Sequence, residues 1–189
     1  MLDTMLHVFS PSFLLVFLGE MGDKTQLLSL ALVCRFHKPW AILLAITLAT
    51  LANHGVSVWL GEWIASLMHD GVLKYVVAAS FMALGIWMLI PDKQEEVKGP
   101  ARFGVFLTAF VLFFLAEIGD KTQLATVALA AHYQSFFVVL LATTLGMIAA
   151  NGPILWLGER LQNTCWEKMA HLLSAMLFIV MGLIALFWH

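Results

Sequence analysis

The chain has 189 residues, 61% of them hydrophobic and only 12% charged, with a net charge of −2 and a mean hydropathy of +0.91. Soluble domains average about 45–50% apolar and 25% charged, so these figures exclude a soluble globular protein and describe an integral membrane chain. The near-neutral balance gives no sign of a nucleic-acid partner, and Cys34 and Cys165 fit neither a disulfide framework nor a zinc pattern.

Apolar runs of roughly 20 residues predict six membrane spans. The first covers about Val8–Val33, and no cleavable leader is evident before it. The second, Pro39–Gly61, carries no Lys, Arg, Asp or Glu, and the third is Tyr75–Pro91. A hydrophilic stretch, 92–102, follows. Then come Phe103–Ala131, Tyr133–Gly158 and Met169–Trp188. Trp40, Trp63, Trp166 and Trp188 fall near span ends, where interfacial tryptophans collect.

Within the first and fourth spans the same octapeptide recurs. Glu20-Met21-Gly22-Asp23-Lys24-Thr25-Gln26-Leu27 returns as Glu117-Ile118-Gly119-Asp120-Lys121-Thr122-Gln123-Leu124, at an offset of 97 positions (117 − 20). Trp59-Leu60-Gly61-Glu62 recurs as Trp156-Leu157-Gly158-Glu159, and Phe81 and Gly85 as Phe178 and Gly182, at the same offset. Ala52-Asn53 corresponds to Ala150-Asn151, one position further on. The repeat unit is therefore three spans. Three is odd, so the halves enter the bilayer in opposite senses, the usual build of secondary transporters. The expected architecture is an all-α integral membrane protein of six transmembrane helices: a first repeat at 1–91, a linker at 92–102 and an inverted second repeat at 103–189. Arg35, Lys38, Lys93, Lys98, Arg102, Arg160 and Lys168 then share one face, against Lys74 alone on the other. That bias places the linker in the cytoplasm and both termini outside.

Charges at mid-span are costly, at about 2.5–3.5 kcal/mol each on insertion scales, so their duplication marks a functional site. Read as one helix, Glu20, Asp23 and Lys24 share a face, as do Glu117, Asp120 and Lys121, with Gln26 and Gln123 flanking. Opposed repeats would bring four carboxylates to one point. Carboxylate and amide oxygens select hard divalent cations such as Mg2+, Ca2+ or Mn2+, and Asn53 and Asn151 lie at a similar depth to add theirs. Four acids and two lysines leave −2, which one divalent cation neutralises. Protons compete for the same oxygens, which is the physical basis of an antiporter. Lys24 and Lys121 are read as charge-balancing groups, and Glu62 and Glu159 as a proton relay or gate. On the blander side, Gly22 and Gly119 read as close helix contacts, and Met21 and Met147 as packing. Thr25 and Thr122 point away from the acidic face of such a helix. His54 has no counterpart in the second half, and its role stays open between core and shuttle. An intramembrane hydrolase is the rival class, but no H-E-x-x-H or G-x-S-x-G motif is present.

The doubled Glu-x-Gly-Asp-Lys-Thr motif, on either side of a hydrophilic loop, resembles that of the small cation/proton exchangers. That family has bacterial, chloroplast and Golgi members, and its short bacterial branch includes a manganese exporter. The resemblance covers nearly the whole chain. It implies Mn2+ transport, with Ca2+ the alternative cargo, in exchange for protons. No resident cofactor is expected; the partners are the cation, protons and the lipid bilayer. It further implies that Glu20, Asp23, Glu117 and Asp120 are the ligands, and that the chain is a bacterial inner-membrane protein.

Overall fold

The computed structural model describes residues 2–89, 104–157 and 164–187. These form helices joined by short turns, with no strand among the described residues. In chain order the helices are α1 (Leu2–Glu20), α2 (Lys24–Phe36), α3 (Pro39–Leu67), α4 (Asp70–Met88), α5 (Gly104–Glu117), α6 (Lys121–Tyr133), α7 (Phe136–Asn151), α8 (Ile154–Leu157) and α9 (Thr164–Phe187). The linker at 92–102 lies outside the described residues.

The described helices α3, α4 and α7 continued through α8 are long and apolar enough to cross a bilayer, with α1 and α2 a fourth span if the bent pair counts as one. Within the described residues each apolar run read from the sequence is largely helical, but the first and fourth are each broken in two at the octapeptide. α1 and α2 meet at an angle of 66°, with the break at Met21-Gly22-Asp23, and α5 and α6 break at Ile118-Gly119-Asp120. The single-helix reading of the octapeptide is thereby corrected. The cause is local. Gly22 and Gly119 take φ of +81° and +75°, a left-handed conformation that costs an L-residue about 1–2 kcal/mol. Asp23 and Asp120 follow as extended N-cap residues of α2 and α6.

The repeat is written into the backbone. α2 and α6 have 13 residues each, and end at His37 and Gln134, both left-handed. α3 and α7 begin at equivalent positions, Pro39 and Phe136. Between α4 and α9 the packing is reciprocal: a Cβ on Gly85 would meet the Ala175 carbonyl at 3.1 Å, and one on Gly182 the Ala78 carbonyl at 3.1 Å. Positions rise along α4 as their partners fall along α9, so these two helices run antiparallel. Phe81 and Phe178, both fully buried, meet at the same interface with ring centroids 6.2 Å apart.

Across the repeats α1 lies along α7, and α3 lies against α5 and α6. The inner face of α3 carries Ala45, Ala49, Thr50, Asn53, His54, Ser57 and Gly61, all buried, while Leu44, Leu48, Val56, Trp59 and Trp63 are exposed on its outer side. Small and polar residues inside with bulky apolar ones outside is the pattern of a helix packed within a bilayer, where lipid already solvates leucine. Trp40 and Trp63 are exposed, as an interfacial belt requires; the side chains of Trp166 and Trp188 lie outside the described residues.

Candidate functional site

The two breaks meet in the middle of the molecule. Glu20 ends α1 and Glu117 ends α5, while Asp23 and Asp120 open the helices that follow. The Asp23 amide donates to the Glu20 carbonyl (3.1 Å), and the Asp120 amide to that of Glu117 (3.2 Å). Each break therefore sets two carboxylates beside a helix N-terminus, whose partial positive charge favours anions.

All four acids are buried: Glu20 and Glu117 at 0% exposure, Asp23 at 2% and Asp120 at 4%. Carboxylate oxygens of Glu20, Asp23 and Asp120 lie within 4.8 Å of one another. Oxygens around one hard divalent cation bind at about 2.0–2.6 Å, hence span about 4–5 Å, so these three oxygens can share one ion. The convergence expected of four acids is met by three. Glu117 is near enough to feel the charges of Glu20, Asp120 and Lys24, but stands outside the three-acid group. Neither Glu117 carboxylate oxygen accepts a hydrogen bond among the described residues. A buried acid so placed is costly unless something joins it.

The neighbours of the acids differ from the helical-face reading. Thr25 does not point away; its hydroxyl donates to the Glu20 carboxylate. Thr122 likewise donates to Asp120 at 3.3 Å and, with Asn151, faces Glu20. Breaking the helix at glycine swings both threonines into the site. Gln26 and Gln123 have a task that flanking position did not reveal. The Gly22 amide donates to Gln26 (2.8 Å) and the Gly119 amide to Gln123 (2.6 Å), so each glutamine ties down its glycine turn. The legible signal was Asp-x-x-Gln, which matches a capping box in sequence, although here neither aspartate side chain caps its helix and each glutamine reaches the glycine one residue earlier. Gln26 also donates to the Ala150 carbonyl at 2.9 Å, joining the repeats.

Asn151 accepts from the Ser29 hydroxyl at 2.9 Å, and its amide group donates to the Met147 sulfur at 3.0 Å. Its oxygen is thus engaged in holding α2 to α7. Asn53 is buried and donates to the Phe114 carbonyl at 3.1 Å. Lys24 crosses between the repeats to Asp120, 3.1 Å away, while Lys121 is buried with its ammonium 6.0 Å from the Trp87 ring centre. Glu62 is half-buried toward the end of α3 and outside the three-acid group; Glu159 lies outside the described residues. His54 is fully buried, and neither ring nitrogen has a hydrogen-bond partner among the described residues.

Comparison with known proteins adds an independent line. The family described as "Divalent cation/proton antiporter GDT1" matches residues 8–96 and 105–189. A Vibrio cholerae protein named "Putative manganese exporter" is 42% identical over 98% of this chain and 94% of its own. A GDT1-like protein of Synechocystis is 26% identical over 96% of this chain and 97% of its own; GDT1-like protein 5 of Arabidopsis thaliana is 28% identical over 96% of each. No solved structure matches the chain.

Proposed function

The chain belongs to the GDT1 family of divalent cation/proton antiporters, and from that premise we propose that it exports Mn2+ from the cytoplasm in exchange for protons. The observation that carries the reading is the buried group of Glu20, Asp23 and Asp120, drawn from both repeats and spaced for one hard cation. Manganese rather than calcium is supported by the name of the Vibrio cholerae relative.

The proposed cycle follows from competition for those oxygens. Facing the cytoplasm, the acids lose protons and take Mn2+, whose charge offsets theirs and lowers the cost of enclosing the site. Facing outward, where pH is lower, protons displace the cation and return inward on the carboxyls. By linkage, Mn2+ affinity must rise with pH through the range in which the acids titrate. Thr25 and Thr122 orient the carboxylates, and Lys24 holds Asp120 while the site carries no cation. Glu117, buried beside the group, is the added ligand or proton carrier.

The antiparallel contact of α4 with α9 and the matching breaks support an architecture of six spans in two inverted repeats. The Vibrio cholerae relative supports a bacterial inner-membrane location, and the bias of basic residues supports an orientation with the linker in the cytoplasm and both termini periplasmic. The test is flux in proteoliposomes across a panel of divalent cations, with a pH dye inside. Mn2+ uptake opposed by proton movement is expected. Coupled flux of Ca2+ in preference to Mn2+ would replace the cargo, and divalent flux without proton movement would indicate a channel.

A further inference from the structure

The repeats are alike in sequence but not in packing. Among the described residues α6 lies against α3, α4 and α1, whereas its counterpart α2 lies mainly against α5 and α8. A very close approach is at Gly61, within the duplicated Trp-Leu-Gly-Glu segment and outside the three-acid group. A Cβ there would collide with the Val127 carbonyl, stand 2.7 Å from the Ala130 Cβ and 3.1 Å from the Ala131 amide. Only glycine lets α6 seat so deeply on α3.

The equivalent positions on α2 tell the opposite story. Ala130 and Ala131 are buried at 0% and 4%, but their counterparts Val33 and Cys34 are half-buried and exposed. The site lysines repeat the contrast: the Lys24 side chain is 30% exposed, Lys121 only 2%. Beside α6, an apolar groove of about 300 Å3, open on its outer side where Leu124 and Trp87 are exposed, is lined by Leu73, Val77 and Leu84 of α4 and by Leu124, Ala128 and Ala131 of α6. Close-packed contacts resist displacement, and α6 is less closely packed against α4 along this groove than against α3 at Gly61.

We propose that α2 and α6 are reciprocal gates of the carboxylate site, with α6 shut on its seat at Gly61 and α2 standing open at Cys34. In the opposite state α6 leaves Gly61 and α2 closes, covering Cys34. The proposal rests on the antiport reading, since only a transported ligand needs two gates. Gly61 acts by positioning α6 and touches no ion.

The test is labelling of Cys34 in a Cys165→Ala background by a membrane-impermeant maleimide, in vesicles of known orientation. Labelling is expected from the side of the basic loops. Gly61→Val should lower it about fivefold or more by holding α6 off its seat. Gly55→Val on the same helix should leave it unchanged, because a Cβ at Gly55 meets nothing within 4 Å. A second measurement does not depend on the fold of Gly61→Val. Ala131→Cys, with both native cysteines replaced, should be protected where Cys34 is labelled, and Mn2+ with an imposed pH gradient should reverse both. Cys34 refractory to the reagent under every condition, or the two sites gaining and losing label together, overturns the proposal. Reciprocal labelling in the otherwise unaltered protein without any cation flux would keep the gates and remove the antiport reading. Antiport with unlinked labelling would do the reverse.

Discussion

Gly119→Ala isolates the helix break from everything around it. Gly119 has φ +75°, and a Cβ built there meets nothing within 4 Å, so the substitution introduces no clash. Its whole effect is the left-handed backbone, about 1–2 kcal/mol for an L-residue. The strain can be absorbed in two ways. The break keeps its shape and the folded protein loses that amount of stability, or α5 and α6 relax and Asp120 moves away from Glu20 and Asp23. In the second case Mn2+ affinity falls by the equivalent factor, about 5–30. Thermal unfolding in detergent reads the first outcome and Mn2+ binding the second; their sum should reach the predicted strain. Gly119→Asn should cost less, since asparagine tolerates this region. An alanine variant matching the wild type in both measurements would refute the claim that the octapeptide needs glycine for its turn.

Other substitutions separate the remaining roles. Gln123→Leu removes the acceptor of the exposed Gly119 amide while keeping bulk, and should lower stability by about 0.5–1.5 kcal/mol; an unchanged unfolding temperature would show that the glutamine does not hold the turn. Lys24→Met breaks the 3.1 Å pair with Asp120 and should slow export with about 1–3 kcal/mol of instability, less than a fully buried pair because the lysine is 30% exposed. Flux unchanged across a pH series would return this lysine to a passive place at the site. For topology, a periplasm-only reporter should work when fused after His189 and fail at Glu96, and the reverse pattern would overturn the assigned orientation.

Much of this molecule was legible in its residues, and the shortfalls share a cause. Apolar run length located the helical segments, because the cost of burying polar backbone in lipid leaves few alternatives. The doubled octapeptide pointed to the buried acids and to a repeat, and the backbone carries that repeat further than the residues announced, to left-handed His37 and Gln134. What failed was the assumption that an uninterrupted apolar run is an uninterrupted helix. Gly22 and Asp23 were read for packing and charge, when glycine followed by Asp-x-x-Gln specifies a turn and a new helix start. That error carried Thr25 and Thr122 to the wrong side, and implied a symmetric meeting of four acids where Glu117 stands apart. The different seating of α2 and α6 was invisible for a deeper reason. Lys24–Phe36 and Lys121–Tyr133 share six of thirteen residues, and the shared pattern does not say how deeply either helix seats on its neighbours.

Paired measurement of Mn2+ and proton flux tests the central claim most directly. Proteoliposomes carrying wild type, Asp23→Asn or Asp120→Asn are given an imposed pH gradient, with Mn2+ on one side. Each substitution removes one charge from the three-acid group but leaves an oxygen in place, so it separates proton coupling from coordination. The account predicts that the gradient drives Mn2+ movement in wild type, with protons flowing oppositely, and that both variants lose coupled transport. Mn2+ movement indifferent to the gradient in wild type, or full antiport in either variant, would contradict it.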